Sequence, residues 1–416
     1  MRQLAGFLLV IIFGFTSSFA QLGISADISP RAELRHGYRT MPHEDAKPAG
    51  GFNQRTRIIL DWKSENIITK ISFQDVRMWG QVPQKVPVPS LEIHEAWAEL
   101  LFTGELSVKA GRQELRYDNL RFFAHNDWIP QAQKHDVALL KYETPELKLH
   151  FATAFNQDWS AYGRSFGTHY MVPNYKYMNF LWFNTDVAAD GNLSLLAIAD
   201  GYEFDGTGVS NPLYVRGTWS AYFTYKAGPI DLMANPAFQH GKNRVGSDIS
   251  AFYFGAHAAT NATDQLRTTL GMELLSGNDP EDADTYRAFD PTHGAGHSNH
   301  GFMDYFTNIP AHTRGAGLVN PFIKNRYRMN ARTNLHGDLH LFFIQNDFIH
   351  AGEEISKYLG TEVDLMINYG FNDFTRIIGG FSMMFGSESM EIIKSGSKDE
   401  PAYFVYLMLR IRPKLL

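Results

Sequence analysis

Basic side chains placed at every second residue carry most of the chemistry this sequence offers. In "FIKNRYRMNARTNLHG" (Phe322 to Gly337), Lys324, Arg326, Arg328, Asn330, Arg332, Asn334 and His336 fall on alternate positions. Arg55, Arg57, Lys148, Arg216, Arg267, Arg376 and Arg410 are placed the same way in other segments. A guanidinium presents a planar fork of donors that grips two carboxylate or phosphate oxygens at once, so such rows suit anion recognition. The same register also carries Asp61, Asp231, Glu273, Glu362 and Asp364. Two readings stay open. Fixed cations could line a path and attract anionic solutes, or Arg and carboxylates could pair into ladders that brace an interior.

Other chemistry is thinly represented. The chain has no Cys, which removes disulfides and thiolate catalysis. His94 precedes Glu95 and His135 precedes Asp136. Adjacent side chains of a strand point to opposite faces, so neither pair makes a good catalytic dyad. The expectation is a protein that is not an enzyme and needs no cofactor. Residues 276–322 contain "NDPEDAD" and four histidines, His293, His297, His300 and His312. Such groups can bind metal, but their spacing matches no metal motif, and no metal site is assigned. A loop this long is functional or mobile; it is expected to fold inward over the mouth of a channel. The net charge of −6 is mild and gives no reason to expect a nucleic-acid partner.

These residues need elements to position them, and the pattern throughout is period two. In "RTRIILDWK", Arg55, Arg57, Asp61 and Lys63 oppose Thr56, Ile58, Leu60 and Trp62. "LKLHFATAF", "YVRGTWSAYFTYK" and "YLGTEVDLMINY" repeat the alternation. About 18 such segments start near residues 24, 51, 66, 91, 105, 134, 146, 174, 192, 213, 229, 247, 264, 323, 338, 358, 373 and 401. Most are roughly 9–14 residues long, which suits a tilted membrane-spanning strand. Their connections alternate between short and long, as expected of short periplasmic turns and longer extracellular loops. Gly337 is among the expected short connections; 117–133, 158–173, 203–212 and 276–322 are among the long ones.

Residues 1–20 read as a secretory signal peptide: Arg2, an apolar core, then Ser18-Phe19-Ala20 before the cleavage point. No later segment approaches the ~20 apolar residues of a spanning helix. Within a bilayer every backbone amide needs a partner inside the protein, and without helices only a closed barrel supplies one. The expected fold is therefore all-β: residues 21–416 as a transmembrane, antiparallel, up-and-down barrel in contact with outer-membrane lipid. Trp62, Trp79, Trp97, Trp182 and Trp219 near strand ends suit interfacial girdles.

One stretch strains the pattern. In "VKAGRQELRYDNLRFFAHNDW" (Val108 to Trp128), Val108 and Ala110 face lipid and Lys109 faces the lumen. Strict alternation then sends Arg112 towards lipid, which is costly near the membrane centre. A bulge at Gly111 would shift the register and turn Arg112 inward; the expectation is that Arg112 points into the barrel or lies above the membrane, and does not face lipid.

The segments "ISFQDVRMWG", "EAWAEL", "VKAGRQELRYDNLRFF", "KHDVALLKYE", "LLSGND", "AFDP" and "GFMDYF" resemble the alginate-export porin family of Gram-negative outer membranes. The Gly-Arg-Gln run followed by Tyr-Asp and Arg is the most specific part. The resemblance implies a monomeric, 18-stranded barrel with an Arg-rich lumen that passes an anionic polyuronate. By the same match Arg112, Gln113, Tyr117, Asp118 and Arg121 would line or brace the pore. A general or nutrient-uptake porin is the alternative, and an outer-membrane enzyme or adhesin is the third reading. The expected path residues are Arg55, Arg57, Arg112, Arg121, Arg216, Arg267, Arg326, Arg328, Arg332 and Arg376.

Overall fold

The computed structural model describes residues 21–86, 88–157, 174–204, 212–282, 284–291 and 293–416. The signal-peptide segment and most of the expected loops 158–173 and 203–212 lie outside them.

Strands form where apolar and polar residues alternate, since successive side chains leave the pleat on opposite faces. The first seven are β1 (Gln21–His36), β2 (Ala49–Lys63), β3 (Ile67–Met78), β4 (Leu91–Leu101), β5 (Leu106–Gln113), β6 (His135–Glu143) and β7 (Leu147–Phe155). Then come β8 (Tyr177–Ala188), β9 (Gly191–Glu203), β10 (Leu213–Ala227), β11 (Ile230–Lys242), β12 (Asp248–Asn261) and β13 (Leu266–Leu275). The last five are β14 (Leu318–Arg328), β15 (Thr333–Phe343), β16 (Tyr358–Asn372), β17 (Thr375–Gly386) and β18 (Ala402–Ile411). Each pairs antiparallel with its neighbours in the chain, and β18 returns to β1, with Ile28 opposite Ile411 and His36 opposite Tyr403. The sheet has no edge left to satisfy, which is the condition for spanning a bilayer. One short helix, α1 (Glu388–Lys394), caps the extracellular side.

Eight of the connections are tight and share one end of the barrel, and the long ones share the other. The outward register presents Ile58, Leu140, Phe151, Leu181, Trp219 and Leu365 as exposed apolar side chains. On a water-soluble protein so continuous an apolar face would aggregate; around a closed barrel it faces lipid.

The hairpin after β13 corrects the sequence reading. Phe322 to Gly337 is two strands, with the turn at residues 329–332 and Gly337 inside β15. Lys324 stands opposite Asp338 and Arg326 opposite His336, so even-numbered residues face inward on both strands. A four-residue turn preserves that parity, which leaves the alternation unbroken. The local mark of the turn is Asn330, whose side chain accepts the Arg332 amide at 2.9 Å.

Gly111 also departs from expectation. The β4–β5 and β5–β6 registers run through it without a shift. Its φ of +126° and the lack of room for a Cβ against Ala96 and Trp97 explain the glycine. The bulge lies on β4, where Ser72 pairs with Glu95 and Phe73 with Ile93. His94 is the extra residue, and both His94 and Glu95 are buried inside the barrel.

The buried core lies within the lumen. Two loops from the long-loop end fold into the barrel: loop A (residues 114–134) and loop B (residues 276–317). They contribute Phe122, Phe123, Phe289, Tyr305 and Phe306, which pack with wall residues such as Phe180 and Phe342.

Candidate solute path through the barrel

β1, β2 and β18 form one basic wall. Arg31, Arg55, Arg57 and Arg410 point inward from them, and Arg412 follows β18. Loop A delivers Asp127 into their midst. Its carboxylate lies 2.7 Å from Arg55 and 3.1 Å from Arg412, and it also pairs with Arg410. Burial pushes the Asp127 carboxyl up, but Arg55 and Arg410 more than offset that and hold it well below the usual carboxylate range. Asp27 on β1 pairs with Arg55 at 3.0 Å and Arg412 at 2.9 Å. Trp128 lies under the Arg31 guanidinium at 4.1 Å and stacks on His297 of loop B at 4.0 Å. A cavity of about 230 Å³ remains here, lined by Arg31, Arg55, Arg410, Asp127, His125 and Trp128.

A second cavity of about 630 Å³ runs along β3 to β8 under loop A. Lys70, Lys109, Lys141, Lys148 and Arg116 line it, with Glu95, Glu114, Glu143 and Asp118. Trp97 and Trp182 face this space, so neither belongs to a lipid-facing girdle. Lys109 sits 3.7 Å above the Trp97 ring, and Trp182 packs against Tyr117. Trp219 does face outward. Among the described residues, His94, Glu95 and Glu114 bring three ligand atoms within 4.8 Å of one another. Lys70 already lies 2.5 Å from Glu95, Arg57 lies 3.6 Å from Glu114, and Arg116 pairs with Glu114 as well. Three cations meet two carboxylates, so the cluster braces the wall and repels a metal ion. Burial raises the Glu114 carboxyl, yet His94 and Arg116 bring it down to about 2.

The expected path residues fall into distinct places. Arg55 and Arg57 are on the basic wall. Arg121 is buried in loop A, 3.3 Å from Glu273 and within hydrogen-bond reach of His300. Arg216 is held by Asp200 at 2.5 Å and Asp290 at 2.9 Å. Arg267 faces the lumen near the periplasmic end and pairs with Asp231 at 2.5 Å. Arg326 grips Asp338 with both terminal nitrogens. Arg376 shares the inward register and reaches Asn368 at 3.5 Å. Arg328 ends β14, donating to the Asp264 carbonyl at 3.2 Å, and Arg332 lies in the periplasmic turn.

Arg112 lies on the outer face, where continuous alternation leaves it. Asp136 of β6 holds it with two hydrogen bonds of 2.9 Å, near the extracellular ends of both strands. The charge that alternation sends outward is thus matched by a partner that alternation also sends outward. Of the other motif residues, the Tyr117 hydroxyl meets His150 at 2.9 Å, and Asp118 accepts from the Trp182 indole at 3.1 Å. The Gln113 amide donates to the Val137 carbonyl at 3.1 Å.

Asp127 and Trp128 escaped the sequence reading because a loop has no period. The only local mark was a polar and aromatic run, "HNDW". The loop B histidines do not form one cluster. His293 lies 3.5 Å from Asp200, His297 2.6 Å from Asp304 and His300 2.8 Å from Glu273, each against its own carboxylate.

Comparison with known proteins agrees with this geometry. The alginate export family matches residues 22–159, which carry β1 to β7. No curated relative matches the sequence. Among solved structures, the chain is similar to Pseudomonas aeruginosa OpdO, with a TM-score of 0.64 and 12% identity over 95% of this chain and 98% of that one. OccK9 (OpdG) of the same organism gives 0.64 and 11%, over 95% and 99%. OccAB4 of Acinetobacter baumannii gives 0.61 and 12%, over 95% and 98%. At such identities the likeness is one of fold. A closed eighteen-stranded barrel with an apolar outer wall and a polar, loop-filled lumen is a porin-like channel of the outer membrane.

Proposed function

We propose that the protein is a monomeric, passive channel for small anionic solutes. One observation carries the reading: in the cavity beside Trp128, three arginines face a single carboxylate, Asp127. Arg55 and Arg410 each keep an Nε–H donor without a partner. Arg55 commits both terminal nitrogens to Asp27 and Asp127, and Arg410 commits one to Asp127, so bracing and anion attraction coexist in the same side chains. Trp128 and Met408 give the cavity an apolar flank, which suits an organic acid with a ring or short chain better than a bare inorganic ion. One of the solved neighbours, OpdK, was crystallised with vanillate, an aromatic carboxylate.

The packed core made by loops A and B favours a small solute over a polymer. Cavities of about 230 and 630 Å³ admit a molecule of one or two rings. Export of an acidic polysaccharide is the second reading, supported by the family match over residues 22–159. It requires both loops to leave the lumen.

Conductance in planar bilayers tests the proposal. The expected result is a small, steady, anion-preferring current that millimolar aromatic carboxylates block. Cation preference in a salt gradient would refute it. Block by alginate oligomers with none by monocarboxylates would favour the polymer reading.

A further inference from the structure

Beneath loop B, two carboxylates are buried without a cation. Glu362 and Asp364 face inward from β16 and are 0% and 2% exposed. Glu362 accepts one hydrogen bond, from the Met303 amide of loop B at 2.7 Å. Gly301, at φ +79°, packs against the same carboxylate and leaves no room for a Cβ. The second Glu362 oxygen and both Asp364 oxygens have no hydrogen-bond partner.

The neighbouring strands supply no Lys or Arg for them; His340, opposite Glu362 on β15, is bonded to Asn320 at 3.1 Å, and His297 of loop B is paired with Asp304 at 2.6 Å. On β15, Asp338 stands opposite Asp364, but Arg326 already takes its charge. Lys324 donates to the Ser298 carbonyl at 2.9 Å. Among the described residues no Lys or Arg forms an ion pair with Glu362 or Asp364. On β17, Ser382 stands directly opposite Asp364, is 0% exposed, and has an Oγ without a partner. Asp364 is close enough to interact with both Glu362 and Ser382, yet the Ser382 hydroxyl donates to neither carboxylate.

We propose that Glu362, Asp364 and Ser382 hold a calcium ion that fastens loop B to the barrel wall. Two buried negative charges without a partner are costly, and one divalent cation neutralises both. The free atoms are all oxygens, the hard donors that select calcium over zinc or copper. Calcium tolerates irregular geometry and completes its shell of roughly 6–8 oxygens with water, whereas magnesium demands a near-ideal octahedron. The ion fixes the Glu362 carboxylate, and Glu362 fixes Met303 and Gly301. The brace at His94, Glu95 and Glu114 is the opposite case, with cations already in excess.

The test uses the full chain, folded in detergent. After dialysis against calcium-free buffer, metal analysis should find about one calcium per chain. EGTA should lower the unfolding temperature, and calcium should restore it where magnesium and sodium do not. Ser382→Ala should weaken calcium affinity about tenfold. Combined Glu362→Gln and Asp364→Asn should abolish the calcium dependence. The EGTA comparison on the unaltered protein stands even if that variant misfolds. No retained calcium, with an unfolding temperature indifferent to EGTA, would overturn the proposal and leave a proton shared between the two carboxyl groups. Restoration by magnesium or sodium would overturn the assignment to calcium.

Discussion

The two sides of the lumen carry opposite charge and treat it differently. On β1, β2 and β18, arginines crowd around Asp27 and Asp127, and a cavity stays open beside them. On β15 and β16, Asp338, Glu362 and Asp364 are fully buried, two of them beneath loop B. A tally of lumen residues makes the interior look mixed. What a solute meets is only the part that the loops leave uncovered, and there the excess is basic. Selectivity in such a barrel is set as much by where the loops lie as by what the strands carry.

The largest expected effect comes from removing the pin between loop A and the basic wall. Asp127→Asn should cost about 3 kcal/mol in denaturant unfolding, the low end for stripping a buried pair of its partner. It should also strengthen anion preference by freeing Arg55 and Arg410. Unchanged unfolding would break the idea that Asp127 organises that side. Next comes the wall itself: Arg55→Gln with Arg410→Gln should shift the reversal potential towards cations. An unchanged potential would mean that these arginines only brace.

Acid should act on loop B. Burial depresses His312 to about 4, so folding disfavours its protonated form. Burial raises the Asp304 carboxyl, but His297 and Tyr38 hold it below the usual value. Both shifts are downward, so the stability they contribute is present at neutral pH and is lost on acidification. His312 acts between about pH 6.5 and 4, and Asp304 below about 4. Loop B should therefore loosen in acid, which conductance recorded from pH 7 to 4 would reveal as larger or noisier currents. A response confined to alkaline pH would contradict this sign.

The smallest effect belongs to the outer wall. Arg112→Gln should change stability by no more than about 1 kcal/mol, as for other exposed pairs, and should leave the reversal potential unchanged. A selectivity shift would show that Arg112 reaches the path despite its outward register. Arg332→Gln, in the periplasmic turn, should likewise leave selectivity unaltered.

Much of the wall was legible in the sequence. β4, β10 and β16 start at the expected residues 91, 213 and 358. β14 and β15 start five residues earlier than the alternation suggested, because a turn that preserves parity is invisible to a test of parity. The site was less legible. Arg55, Arg57 and Arg410 could be placed on the inner face, but Asp127, which draws Arg55 and Arg410 together, could not.

The sequence by itself determined that the chain is a barrel and which face most wall residues take. That information is local, since neighbouring side chains on a strand must point in opposite directions. Only the tertiary structure decided which arginine meets which carboxylate, and which carboxylates meet none. Asp127 and Arg410 are 283 residues apart, and they become neighbours because the first and last strands close the ring and a loop without any period folds into the space it encloses.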